Sequence, residues 1–397
     1  PSRVSRVAVG GEVLVDSGFA ALAGKRVGLI TNQTGLARGS HLVDHLHGAP
    51  TVNLAAIFAP EHGFRGVAEA GEKVGDDRDA KTGVRVFSLY GATRKPRPAM
   101  LRGIDVLVFD IQDIGARYYT YISTMGLAMQ AAAQARIPFV VLDRPNPLGG
   151  TYVSGFVLEP ALTSFVGQYP IPIVHGLTVG ELARMMKAEG WLSGLEALEL
   201  SVIEVRGWKR TTRWPGTGRR WVATSPNIPT FESALAYPGI GFVGELDINE
   251  GRGTPIPFTQ FGAPWLDGRK AAAHLNGLRL PGLSFEAVRY RPRAIPRVAS
   301  DPRFEGRTIG GVRLDFTDID RFLPLETGMH AMAMLMADPG AGSPAKLFRN
   351  LKMFHLLAGT RQLHRMLVSG ASGSDIISVW SADVDRFKRL RAPYLIY

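Results

Sequence analysis

The sequence predicts a two-domain α/β protein, with a doubly wound, mostly parallel sheet over residues 1–235 and a smaller α+β unit over residues 236–397. Three observations predict it. Short, near-continuous apolar runs recur through the first half, as expected of strands buried on both faces. Helix-forming stretches lie between them, the alternation that builds a parallel sheet. After about residue 210 the texture changes, and Trp, Pro and Gly become frequent through residues 214–218, 225–229 and 237–241.

In chain order, the predicted strands of the first half are residues 25–32 (KRVGLITN), 53–60 (NLAAIFAP), 84–90 (VRVFSLY), 106–113 (VLVFDIQD) and 138–145 (PFVVLDRP). Residues 121–136, rich in Ala, Met and Gln, are a helix by intrinsic propensity. Thr178 followed by Glu181 forms a capping box that opens a helix over residues 178–189, and residues 200–205 supply a sixth strand. In the second half, residues 284–291 and 308–316 read as strands and residues 328–337 and 345–358 as helices. No internal repeat or low-complexity tract interrupts this plan.

Composition narrows the chemistry. The chain has 397 residues, 45% of them hydrophobic, and no cysteine, which removes disulfides, thiolate nucleophiles and Cys-ligated metal sites. No apolar run reaches the 18 residues of a membrane span. The formal charge of +11 suits a polyanionic partner such as nucleic acid, anionic lipid or an acidic cell-wall polymer, or reflects a general richness in arginine. The charge is spread along the chain, without a basic tail. The sequence opens at Pro1, which leaves room for a removed leader segment, and the lack of cysteine suits an oxidising compartment. A secreted or periplasmic location is therefore expected, with a cytoplasmic one still open.

Ligands of open α/β sheets bind beyond the carboxyl ends of the strands. Those ends here deliver Asn32, then Glu61, His62 and Arg65, then Asp110, Gln112 and Asp113 with Arg117, Tyr118 and Tyr119 just beyond, then Asp143, Arg144 and Asn146. Such a density of ionisable groups predicts a polar concave site. Glu61 stands between Pro60 and the Gly63 turn, where burial can raise a carboxyl pKa enough to make a general acid. Spacing alone also permits a helix N-cap or an ion pair with Arg65. Asp110 and Asp113 suggest acid–base work more than metal binding, because no third carboxylate stands at ligand spacing. Asp143 and Arg144 fit an internal salt bridge as well as a site. Arg117, Tyr118 and Tyr119 can clamp a carboxylate and stack on a sugar, or pack the next helix. His175 reads as a hydrogen-bonding residue before a helix. The Gly251-Arg252-Gly253-Thr254 turn lacks the lysine and glycine context of a phosphate loop, and no G-x-S-x-G or H-E-x-x-H motif is present.

The stretches RVGLITNQTG, FAPEHGFRG, FDIQDIGARYYTY, LDRPNPLGG, SFVGQYPIPIVHGLTVGELA, SPNIPT, EGRGT and the closing RFKRLRAPYLIY resemble the NamZ-type exo-β-N-acetylmuramidases, almost from end to end. The resemblance implies a Rossmann-like N-terminal domain, a smaller C-terminal domain and a site in the cleft between them. It implies exo-acting release of N-acetylmuramic acid from the non-reducing end of peptidoglycan fragments. It makes Glu61, the glutamate of FAPEHGF, the catalytic acid. His62 is expected to hold or tune it. Asn32, Arg65, Asp113, Arg117, Tyr118, Asp143, Arg144, His175, Asn227, Glu250 and Arg252 are expected to contact the saccharide. The arginines Arg65, Arg117, Arg144 and Arg252 are the candidates for its lactyl carboxylate. The second catalytic group stays open among Asp113, Asp143 and the substrate's own acetamido group.

One segment departs from the pattern. Where the family reads YPGTCLFEGTNVSEGRGT, this chain has YPGIGFVGELDINEGRGT from Tyr237 to Thr254, with Gly244 at the family's glutamate position. Two rival readings follow: a cell-wall or sugar-acid binding protein that kept the cleft without catalysis, and, from fold class alone, a dinucleotide-dependent oxidoreductase that lacks its phosphate fingerprint. The expected enzyme needs no metal and no other cofactor, and its partner is a saccharide, with no nucleic acid and no membrane span.

Overall fold

The computed structural model describes residues 6–61, 64, 77–91 and 93–397. The first half builds α1 (Gly10–Asp16), β1 (Arg26–Thr31), a small hairpin of β2 (Leu36–Ala37) and β3 (Ser40–His41), α2 (Leu42–Gly48), β4 (Asn53–Ala59), β5 (Asp77–Arg78) and β6 (Arg85–Ser88). It continues through β7 (Val106–Asp110), α3 (Tyr121–Ala135), β8 (Phe139–Leu142), α4 (Val179–Ala188) and β9 (Leu200–Ile203). Seven strands form one sheet in the order β5-β6-β4-β1-β7-β8-β9, parallel except for the edge strand β5. Counted along the chain, the six parallel strands stand 3-2-1-4-5-6, so the direction of winding reverses between β1 and β7.

Alternation along the strands explains why both faces are covered. Ile30, Phe58 and Phe109 point into one core with Met125 and Met129 of α3 and Leu182 of α4. Val27, Leu29, Ile57 and Val108 point into another with Leu14 of α1 and Leu42, Val43 and Leu46 of α2. A strand with apolar residues at consecutive positions satisfies both layers at once.

All six strands expected in this half are present, trimmed by up to three residues at their ends. The trimming matters at β7 and β8. Pairing stops at Asp110 and Leu142, so Gln112, Asp113 and Arg144, placed on strands by the sequence, lie on loops. The capping box forms as expected: Thr178 Oγ1 accepts from the Glu181 N–H at 3.2 Å and Glu181 accepts from the Thr178 N–H at 3.0 Å.

The second half contains α5 (Phe231–Val243), β10 (Gln260–Ala263), α6 (Gly268–Gly277), β11 (Leu283–Tyr290), β12 (Ile309–Phe316), α7 (Pro324–Ala337), α8 (Leu351–Ala358), α9 (Gln362–Val368), α10 (Gly373–Val379) and α11 (Ser381–Arg391). Its antiparallel sheet runs β10-β12-β11. Helix α7 starts four residues earlier than expected, with Pro324 in its first turn where no backbone donor is needed. Helix α8 starts six residues later, where the Asn350 side chain accepts from the Met353 N–H at 3.0 Å.

The Pro- and Gly-rich stretch 237–241 is helical, contrary to its propensities. Tertiary packing is the reason. A Cβ on Gly239 would lie 2.0 Å from the Pro324 carbonyl oxygen, and one on Gly328 2.5 Å from the Gly239 Cα, so α5 and α7 meet backbone to backbone. Pro238 offers no N–H, and the Tyr118 hydroxyl donates to the carbonyls of Tyr237 and Pro238 at 3.1 and 2.8 Å.

The last residues return to the first sheet. The Tyr397 hydroxyl donates to Asp143 Oδ2 at 2.7 Å and accepts from the Val205 N–H at 2.8 Å, while the Ile396 N–H donates to Glu181 at 2.9 Å. Among the described residues no helix is long and apolar enough to cross a membrane.

Candidate active site

The carboxyl ends of β4 and β7 open onto a cavity of about 310 Å³. Glu61, two residues beyond β4, and the run from Tyr118 to Tyr121, which leads from β7 into α3, form one side. Ser225 and Asn227 come from the loop before α5, Tyr237 and Gly241 from α5 itself, and Glu245, Arg252 and Phe258 from the chain beyond it. The cavity is therefore built between the parallel sheet and the elements of the second half.

Glu61 is partly exposed, and its Oε2 accepts from the Thr120 hydroxyl at 3.0 Å. The wall around it is aromatic. Tyr119 meets Tyr121 edge-on at 5.0 Å between ring centroids, and Tyr237 meets Phe258 at 4.9 Å and Tyr118 at 5.3 Å. Burial raises the pKa of the Tyr119, Tyr121 and Tyr237 hydroxyls, so all three remain protonated donors at neutral pH. A sugar offers apolar ring faces and many acceptors, which suits such a wall.

Two further carboxyl groups stand close by. Glu250 is buried and paired with Arg252. Burial alone would lower the Arg252 pKa, but Glu250, Tyr237 and Glu245 together hold it above the ordinary arginine value. Arg252 also lies over the Phe258 ring, 5.1 Å from its centroid. Burial raises the pKa of Glu245, with Arg252 opposing the shift and Glu250 adding to it. No group of three or more His, Cys, Asp or Glu with metal-site geometry occurs among the described residues.

Family comparisons fall on this frame. The family description "Exo-beta-N-acetylmuramidase NamZ, N-terminal" matches residues 27–232, and "Exo-beta-N-acetylmuramidase NamZ, C-terminal" matches residues 235–397. The chain belongs to the NamZ family. It is 41% identical over 393 residues to the Peptidoglycan beta-N-acetylmuramidase NamZ of Bacillus subtilis, covering 99% of this chain and 92% of that protein. A solved DUF1343 family protein of Bacteroides fragilis superposes with a TM-score of 0.91 at 41% identity, and a second one with 0.82 at 34%, each over 99% of both chains.

Within this NamZ fold the residues expected at the saccharide separate into groups. Glu61, Tyr118, Asn227 and Arg252 line the cavity, with Glu250 behind Arg252. His62 and Arg65 lie outside the described residues. The others stand outside the lining of this cavity, contrary to expectation, because each is held by partners within the fold.

Asn32 is fully buried under the loop after β1, where its Oδ1 accepts from the Thr34 N–H at 3.0 Å and from the Thr34 hydroxyl. Asp113 is buried and accepts from the Gly115 N–H at 2.7 Å, and burial pushes its carboxyl up to about 7. Its other neighbour is His175, 4.0 Å away, which burial, Arg391 and Arg117 drive down to about 3, so the pair is not an ion pair near neutrality. The His175 Nδ1 accepts from the Leu177 N–H, a structural bond.

Asp143 gathers four donors, from Thr178, Gly180, Tyr397 and the Arg144 N–H, and so ties α4 and the chain end to β8. Arg144 pairs with Asp110 at 2.7 Å and faces a different cavity. Arg117 has no exposed surface and donates to the carbonyls of Phe156, Ile171 and Leu357.

Glu245, Tyr237, Ser225, Thr120 and Phe258 were missed. The signal for Glu245 stood in the sequence, because the glutamate lost at position 244 reappears one place later. Its direction toward the cavity depends on how the chain leaves α5.

Proposed function

We propose that this chain is an exo-acting glycoside hydrolase that releases N-acetylmuramic acid from the non-reducing ends of peptidoglycan fragments. The observation that carries the reading is that Glu61 and a second glutamate, Glu245, line one tyrosine-walled cavity at the carboxyl ends of the parallel strands. The named activity of the Bacillus subtilis relative supports it, and disfavours a protein that merely binds cell wall.

Glu61 gives its proton to the glycosidic oxygen as the bond from that oxygen to C1 breaks. Water supplies the new hydroxyl on C1, and its proton passes to a carboxylate, the role given to Glu245. The tyrosine wall stacks on the sugar. Arg252, the only arginine among the described residues that lines this cavity, meets the lactyl carboxylate. Turnover of a chromogenic N-acetylmuramide without added metal or nucleotide tests the reading. The muramide is expected to react at least tenfold faster than the N-acetylglucosaminide, which lacks the lactyl group. No turnover would sink the assignment, and equal rates would remove lactyl recognition.

One observation favours the opposite division of labour. A carboxyl group whose pKa burial has raised is suited to donate a proton near neutrality. The pH profile decides. If Glu245 acts as a carboxylate, kcat/KM falls as pH drops through its raised pKa, at higher pH than an ordinary glutamate would dictate, and Glu245→Gln abolishes that acid limb. If instead the rate falls as pH rises through the same range and Glu245→Gln abolishes that limb, Glu245 is the acid.

A further inference from the structure

A second, smaller cavity of about 140 Å³ lies at the reversal point of the sheet, beyond the carboxyl ends of β1, β7 and β8. It is separate from the cavity that holds Glu61. Gln33 donates to the carbonyls of Ala223 and Thr224 at 2.7 and 3.2 Å, and the Tyr119 and Tyr121 hydroxyls donate to Thr224 at 2.8 and 2.6 Å. The segment so held forms the partition, with Val222 facing the small cavity and Ser225 the large one.

Four arginines line the small cavity: Arg6, Arg144, Arg219 and Arg220. Two carboxylates answer them. Glu12 takes bonds from Arg6 and Arg219, both at 2.7 Å, and Asp110 takes one from Arg144 at 2.7 Å. Two positive charges are left over. Arg144 is only 4% exposed, yet its Nη2 has no hydrogen-bond partner. The Oδ2 of its partner Asp110 and the Oε1 of Gln112, which also lines the cavity, are likewise without partners, so the polar groups here are incompletely satisfied from within the fold. The position adds to the case, because doubly wound sheets bind ligands at this reversal. The volume suits a group of a few heavy atoms.

We propose that this cavity is a second binding site, for a compact oxyanion, either a carboxylate or a phosphate. The arginines give the fork geometry and charge that either group requires. Occupancy would balance the excess charge and brace the partition that forms one wall of the larger cavity. The proposal does not rest on what the larger cavity does.

Calorimetric titration of the full chain with inorganic phosphate and with acetate, at constant ionic strength against chloride, tests it. Saturable binding of at least one of them is expected, and which one binds identifies the oxyanion. Arg220→Glu, on an exposed residue, reverses a lining charge, and Val222→Trp fills the space. Each is expected to weaken binding at least tenfold, while Arg252→Met, in the larger cavity, leaves it unchanged. Circular dichroism checks that each variant is folded. Absence of saturable binding to the unaltered chain would overturn the proposal. So would binding indifferent to both Arg220→Glu and Val222→Trp, or binding lost in Arg252→Met, since the anion would then sit in the larger cavity.

Discussion

Glu61→Gln folds normally and loses about 10²–10⁴-fold in turnover on a natural disaccharide, the usual span of general acid catalysis, or about 3–5 kcal/mol of barrier. Folding is spared because Glu61 is partly exposed and accepts one bond, from Thr120, which the glutamine carbonyl oxygen can also accept. Catalysis suffers because an amide cannot give up a proton as a carboxylic acid does. The leaving group separates the roles. A sugar alkoxide departs badly without protonation, whereas an activated phenolate departs easily. The defect should therefore be severe on the disaccharide and mild on the phenyl glycoside. Equal, severe losses on both would make Glu61 a nucleophile or an electrostatic stabiliser. Near-unaltered rates on both would remove it from the mechanism and bring Glu245 forward.

Arg117→Met lowers stability by about 3 kcal/mol or more, without a direct part in the chemistry. The guanidinium is fully buried and donates to Phe156 O and Ile171 O from the first half and to Leu357 O in the last turn of α8. It thereby pins the second half to the first at a helix C-terminus, where a cation is favoured. Two effects oppose each other in the substitution. Methionine removes a charge that burial strains, enough to lower its pKa to about 9. Ile171 O keeps the Leu158 N–H at 3.3 Å, but the carbonyls of Phe156 and Leu357 lose this donor at about 1–3 kcal/mol each, and the second effect is the larger. Denaturant unfolding measures the difference. A change under about 0.5 kcal/mol, the range of ordinary surface substitutions, would show that water or backbone shifts replace the bonds.

Much of this protein is written locally. The doubly buried strands of the first half follow from consecutive apolar residues, and the start of α4 follows from Thr178 and Glu181, because pattern and capping act within a few residues. The polar strand ends pointed to the rim of the sheet onto which the cavity opens, and the FAPEHGF motif singled out Glu61, which lines it. Helix α5 was not legible. Its Pro238, Gly239 and Gly241 argue for a loop, and only the close approach of Gly239 to Gly328 of α7 makes the helix the better packing. The division of the polar residues was equally hidden. Arg117, Asp143 and Arg144 resemble site residues in every local respect. What sets them apart from Arg252 and Glu245 is which carbonyl, which chain end and which cavity they meet, contacts across as many as 254 positions of sequence. A polar residue at a strand end must find a partner, and the sequence states that need. Whether the partner is a neighbouring strand, the returning C-terminus or a bound sugar is decided only when the two halves close on each other.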